Sequence, residues 1–186
     1  MKVSLGSKMC LYPSLTVLVG ALLNDRPNYI TIAHVGILDF STISLGINRS
    51  HFTNAGIQAH GTFSINIPSE TMVMETDYCG MVSGRNVDKS ALFEHFYGKL
   101  NTAPMIRGCP LNMECRLVQT VSMPRHDVFI GEVVETYCDE ACITGGAIDY
   151  TKLQPILFTM ADRSYWRLGE RLAAAWSIGK EFRPKG

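Results

Sequence analysis

The chain is short of what a field-driven or membrane-bound function would need. Only 18% of its 186 residues are charged, and 17 basic side chains balance 17 acidic ones. Without net charge there is no long-range pull toward nucleic acid or an acidic membrane, so any anion must be held by a local site. No apolar run approaches the roughly 20 residues that span a bilayer. Thr16–Leu23 (T-V-L-V-G-A-L-L) follows Lys2 and Lys8, but Pro13 interrupts its approach and no small-residue cleavage site follows. The run reads as a buried strand ended by the turn Asn24–Asp25–Arg26–Pro27, and we expect a cytoplasmic protein.

Metal and redox-disulfide signatures are also missing. Six cysteines, at 10, 79, 109, 115, 138 and 142, contain no C-x-x-C. Cys138 and Cys142 have three residues between them and no histidine nearby, so no zinc set is complete. Five histidines (34, 51, 60, 95, 126) are scattered without ligand spacing. We expect no metal, and thiols that stay reduced; a Cys138–Cys142 redox pair is the lesser alternative. No G-x-G-x-x-G follows a strand, and no P-loop, G-x-S-x-G or H-E-x-x-H occurs. Those absences leave Rossmann, P-loop, hydrolase-elbow and zincin chemistry unsupported.

What is present is one domain's worth of chain, 1–186, or one protomer of a symmetric dimer. There are no repeats, low-complexity stretches or long linkers. Strand-like runs rich in Val, Ile, Leu and Thr dominate: 14–23, 29–35, 42–48, 62–67, 111–121 and 127–136. Pro124–Arg125–His126–Asp127 reads as the turn between the last two. Helices look short: 51–60, with Ser50 as N-cap and Gly61 as C-cap; 69–79, capped by Ser69; and 90–98. The C-terminal segment reads as irregular, with a closing turn or helix over 168–176. Roughly six strands with short helices in the connections predict a mainly β protein, an antiparallel barrel wired as a Greek key.

Polar residues cluster where these strands stop. Asn48–Arg49–Ser50–His51–Phe52–Thr53 leads from a strand into a helix, whose first turn carries free N–H groups and a dipole that favours an anion. Ser50 and Thr53 add hydroxyls, and Arg49 adds a planar fork suited to phosphate. Taken alone, that segment is better explained by simple capping with Arg49 solvated, because such caps are common. Asn28 precedes Thr31–Ile32–Ala33–His34, where small residues on one strand face let a flat ring lie against the backbone. A half-buried strand with an exposed face is the plain alternative. Ser83–Gly84–Arg85–Asn86–Val87–Asp88–Lys89 is a tight polar loop whose lysine can meet a ring or a phosphate, although a loop lysine is ordinarily just solvated. Polar hooks at the rim and apolar walls behind suit an anionic, planar cofactor.

Taken in order, these segments resemble the flavin reductase-like family of FMN-binding split barrels, and its flavoredoxin branch above all. The resemblance runs from P-S-L-T-V-L-V-G-A at Pro13 through P-N-Y-I-T-I-A at Pro27, N-R-S-H-F-T at Asn48 and F-S-I-N-I-P at Phe63. It continues through D-Y-C-G-M-V-S-G-R-N-V-D-K at Asp77 to Y-W-R-L-G-E at Tyr165 and I-G-K-E-F at Ile178. It implies a six-stranded antiparallel split β-barrel that forms a homodimer, with FMN near the subunit interface. Asn28, Thr31, Ile32, Ala33, Asn48, Arg49, Ser50, His51, Thr53 and Lys89 match the positions that hold FMN; His34 stands beside them in place of the family's aromatic residue. Tyr165 and Trp166 are candidates for walling the site, or for ordinary interface packing.

The resemblance leaves the electron donor open. Phe129–Ile130–Gly131–Glu132–Val133 matches the family's F-x-G-E-V strand, and His126 stands where NAD(P)H-using members carry the histidine of a Gly-Asp-His turn. Here Pro124 and Arg125 replace the glycine and aspartate. Three functions are therefore expected to compete. One is a flavoredoxin-like carrier passing electrons between a redox protein partner or small-molecule acceptor and bound FMN. Another is an NAD(P)H-dependent flavin reductase with His126 as its catalytic residue. The last is a flavin-binding dimer without turnover.

Overall fold

The computed structural model describes residues 1–184. The β-branched runs become strands, and the breaks fall at Gly, Asn and Asp as the sequence predicts. In chain order the elements are β1 (Ser14–Leu15), β2 (Val17–Leu23), β3 (Arg26–Ile32), β4 (Val35–Asp39) and β5 (Thr42–Asn48). Next come α1 (Thr53–His60), β6 (Thr62–Ile67), α2 (Val73–Met81), and the short pair β7 (His95–Phe96) and β8 (Met105–Ile106). The long hairpin β9 (Leu111–Ser122) and β10 (His126–Cys138) follows. The chain then forms β11 (Ile143–Thr144), β12 (Ala147–Ile148), α3 (Tyr150–Leu153), β13 (Ile156–Thr159) and β14 (Ser164–Arg167).

One antiparallel sheet runs in the order β3-β2-β6-β9-β10-β5-β4. Its two edges, β3 and β4, are consecutive in the chain and separated only by Ala33–His34. The Gly46 N–H donates to the His34 carbonyl at 2.8 Å, and β3 lies against β5. One bent strand thus serves both edges, and the sheet curls into the expected six-stranded split barrel. β1, β13 and β14 form a small sheet beside it.

Alternation along the strands fills the barrel with Val17, Val19, Ile30, Ile32, Leu45, Ile47, Phe63, Ile65 and Phe129, and Ile57 of α1 joins them. The outer face of β2, β3 and β6 is covered as well. Leu18 and Tyr29 point outward there and pack with Cys79 of α2, Ile106 and Cys109. Asn66 locks this outer layer. Its amide donates to the Leu18 carbonyl at 2.8 Å, and its oxygen accepts from the Ile106 N–H and from Asn112, both at 2.8 Å. All six cysteines are free.

Several boundaries differ from the sequence expectation, each for a visible reason. α1 begins at Thr53, because the Asn48 side chain takes the Ser50 N–H at 3.0 Å and the Asn48 carbonyl takes that of His51, making a turn before the helix. Gly61 does end it, at φ 62°. Residues 70–72 form a 3-10 turn ahead of α2. Residues 90–98 make no helix. Asp88 captures the Ser90 N–H at 2.9 Å, and buried Glu114 takes the N–H groups of Lys99 and Leu100 at 2.7 and 2.6 Å, so tertiary anchors set that segment's path. The C-terminal segment is a β13–β14 hairpin rather than irregular, and over 168–176 the chain forms no helix, only the start of a turn at 175–177.

Asn66→Ala strands a buried carbonyl and N–H group together, and we expect it to lower stability by about 3 kcal/mol. Urea unfolding measures this; a change under about 0.5 kcal/mol would show that water replaces the side chain.

Candidate functional site

Where β3 bends into β4, a cavity of 420 Å³ opens at the barrel edge. The barrel contributes Thr16, Thr31, Ile32, Ala33, His34, Gly46, Asn48, His51 and His126; α2 adds Asp77, Gly80 and Met81. The β13–β14 hairpin closes it with Phe158, Met160, Arg163 and Tyr165. The Thr31 hydroxyl donates to the Thr76 carbonyl and holds α2 against β3. Tyr165 Oη donates to Asp77 Oδ1 at 2.9 Å and ties the hairpin to α2. Burial and that bond push the Tyr165 phenol up to about 12. Gly80 allows the close approach: a Cβ there would stand 3.3 Å from that of Thr31.

Three imidazoles share this cavity. The His34 and His126 rings lie 5.8 Å apart, and His34 Nε2 pairs with Tyr12 Oη at 3.1 Å. Desolvation, then the neighbouring His126, lower the pKa of His34. Desolvation lowers that of His51 too, helped by Lys89, His126 and Arg85.

A second cavity, of 490 Å³, lies along β3 in the other direction and is lined among others by Asn24, Arg26, Asn28, Phe52, Arg85, Asn86 and Lys89. His51 faces the first cavity and Phe52 the second, so this pair forms the waist between them. Arg85 lies over the Phe52 ring at 5.4 Å and donates to the Ser50 carbonyl at 3.0 Å, which leaves its other side-chain N–H groups without a partner among the described residues. Arg26 is already paired with Asp88 at 3.2 Å. A Cβ at position 84 would collide with the Asn28 side chain, so the glycine lets this loop close over β3.

The expected site residues divide accordingly. Thr31, Ile32, Ala33, His34, Asn48, His51, His126 and Tyr165 come together in the first cavity. Asn28 and Lys89 reach the second. Three do not converge on either. Arg49 turns away to Asp127 at 3.1 Å, Ser50 is exposed beside its own turn, and Thr53 is buried, accepting from Asn28 Nδ2 at 2.7 Å. Lys89 is only 3% exposed, and its ammonium donates to the Tyr29 and Cys79 carbonyls at 2.9 and 2.8 Å. Burial lowers its pKa, and its bonds make it a clamp between α2 and β3. Trp166 is outside the cavity and donates to Thr159 at 2.7 Å.

Thr16, Gly80, Met81, Phe158, Met160, Arg163 and the free fork of Arg85 escaped the sequence reading. Gly80 and Arg85 stand inside the D-Y-C-G-M-V-S-G-R segment, and glycine before an unpaired arginine was the available signal. Phe158, Met160 and Arg163 arrive through the tertiary fold alone.

The donors fit a flat, amphipathic group with an anionic tail. Buried Thr16, which lines the first cavity, carries a hydroxyl with no partner among the described residues. β3 is an edge strand, so one side of its backbone is not paired to another strand. Residues 9–157 match the model of the flavin reductase like domain. Flavoredoxin from Methanosarcina acetivorans is 42% identical and superposes with a TM-score of 0.94 over 97% of this chain and 98% of that one. Flavoredoxin of Desulfovibrio vulgaris (Miyazaki F) is 34% identical, with a TM-score of 0.90 over 96% and 100%. An uncharacterised protein of Archaeoglobus fulgidus is 31% identical over 67% of this chain and 72% of its own.

Because His34 and His51 titrate below 6.5 in the fold, the unfolded chain takes up protons first as pH falls. Stability is thus fullest above that value and declines as pH drops through it. We expect the urea midpoint to fall from about pH 7.5 to about pH 5.5, less steeply in His51→Gln; a flat profile in the wild type would refute this.

Proposed function

Since the chain belongs to the flavin reductase-like family, we propose that it is a flavoredoxin-type redox protein that holds FMN across its two cavities and passes electrons through it. The observation that carries this reading is the pairing of an apolar chamber against a strand edge with a chamber that presents an unpaired arginine fork. Asn28 lines one cavity and Ile32 the other, about 13 Å apart along β3 at roughly 3.3 Å per residue, a span that suits one cofactor with a ring at one end and a phosphate at the other.

Bound there, FMN supplies reversible two-electron chemistry at its ring. The protein's part is binding, orientation and exclusion of water. The Thr31–Ala33 edge orients the polar rim of the ring, and the Thr16 hydroxyl gains its missing partner. Met81 and Phe158 keep water from the ring face. Arg85, Asn28 and Asn86 receive the phosphate. Arg49, Ser50 and Thr53 shape the turn that presents Asn48 and His51, and Lys89 keeps the two chambers in register by clamping α2.

Among the described residues no helix is long and apolar enough to cross a membrane. Large apolar side chains nevertheless stand in water: Phe40 and Ile37 beside the barrel, and Leu172 and Trp176 in the C-terminal arm, each 87% exposed or more. Patches of this kind support a homodimer, and a redox protein or small molecule completes the electron path. The reductase reading keeps one specific support, the presence of His126 in the ring chamber.

An anaerobic absorbance titration of the FMN-loaded protein separates the two. We expect dithionite to bleach the flavin fully and NADH and NADPH to leave it oxidised. Rapid bleaching by either nucleotide would establish the reductase instead. Arg85→Ala should weaken FMN binding about tenfold, which is about 1.4 kcal/mol, in a fluorescence titration; unchanged affinity would refute the phosphate assignment.

A further inference from the structure

His34 and His126 reach the ring chamber from opposite sides of the split. His34 occupies the bend between β3 and β4; His126 opens β10, paired with Asn48 of β5. Their ring centroids are 5.8 Å apart, with the planes inclined by 56°. The far nitrogen of His34 exchanges a hydrogen bond with Tyr12 Oη at 3.1 Å, and His34 stays open to solvent. Neither ring has a carboxylate partner among the described residues. Asp77, the acid of this chamber, accepts from Tyr165, and Asp127 is taken by Arg49 and Ser122. The other charged groups facing the pair are basic: Arg163 in the same chamber, and Lys89 and Arg85 beyond His51.

Two imidazoles at this spacing hinder each other's protonation, because a second positive charge close to the first is disfavoured. Negative charge placed between them reverses the balance for one proton only. We propose that His34 and His126 form a one-proton pair, neutral beside the oxidised cofactor and taking up a single proton when the chamber gains negative charge. The inference rests on the FMN reading above and adds the proton stoichiometry of the same site.

The balance closes. Two electrons arrive from an external reductant, and one proton accompanies them to the cofactor, leaving one net negative charge in the chamber. A second proton, from solvent, bonds to an imidazole nitrogen of the pair and cancels that charge. When an acceptor withdraws the two electrons, both protons return to solvent. His51 stays out of the exchange, because Lys89 and Arg85 on its other side disfavour a further positive charge.

The test is a spectroelectrochemical titration of the FMN-loaded protein at a series of pH values, with dithionite as reductant. Two protons for two electrons make the potential fall with pH twice as steeply as one proton does. We expect the steeper slope around neutral pH in the wild type and in each single variant, His34→Phe or His126→Phe, because either imidazole can take the proton, and half of that slope in the double variant. An unchanged slope in the double variant would overturn the proposal. A parallel nitrogen NMR titration of the imidazoles in FMN-free protein should show one protonation shared by His34 and His126 before the second begins. Two independent protonations would overturn it as well, even if a variant failed to fold. Failure of the wild type to retain any flavin absorbance after loading would sink the cofactor reading itself, a distinct outcome that leaves the imidazole titration to decide the pair.

Discussion

A bend of two residues, Ala33 and His34, makes a single strand serve both edges of one sheet, and the rest of the molecule follows from that closure. A sheet of this length has to curl or leave its edges bare. Closing through a continuous strand leaves a gap at the bend where β3 and β5 touch but do not pair along their length. Backbone groups, small side chains and the ends of β5 and β10 all meet in this gap. The chamber is therefore the seam of the barrel, and its polar rim consists of whatever the seam leaves unpaired.

A seam of this kind must be held open to a fixed width, and buried polar contacts do so from outside. Lys89 spans from the β3 backbone to that of α2. Asn66 ties β2 and β6 to the chain at Ile106, and Glu114 gathers two N–H groups and the Tyr137 hydroxyl at 3.0 Å. Each of these side chains is nearly or wholly removed from water. A buried polar group without its partner is costly, so these contacts admit one arrangement of the outer layer and penalise its neighbours. Apolar packing alone, at Leu18, Tyr29 and Ile106, would tolerate sliding.

Much of this was legible in the sequence, because the strands carry their period openly. Runs 42–48 and 62–67 match their elements residue for residue, and polar residues at or just past the strand ends, Thr31, His34, Asn48 and His51, border the first cavity. The sequence was least informative where long-range contacts overrule local preference. Ser50 looks like a cap, but Asn48 two residues earlier accepts the N–H of Ser50 itself and turns the chain before the helix starts. The segment after Ser90 has helix-forming residues, and Glu114, on a strand far along the chain, claims its amides. Lys89 reads as a contact to a ring or phosphate, or else as a solvated loop residue, since nothing local shows that two buried carbonyls take its ammonium. Arg163 and Phe158 belong to a hairpin whose docking onto α2 no periodicity announces.

The edge formed by β4 has a consequence of another kind. It ends the sheet beside Ile37 and Phe40, both apolar and bare, which is the kind of border on which foreign strands add. Its pairing with β5, however, slips between Ile37 and Asp39. The irregularity twists the strand and breaks the even spacing of its outward amides, and the carboxylate of Asp39 follows directly. An incoming extended chain would lose register within a few residues and meet a charge. The molecule can thus leave this border greasy enough to be recognised by side chains while denying it to backbone pairing, which separates specific assembly from fibre growth.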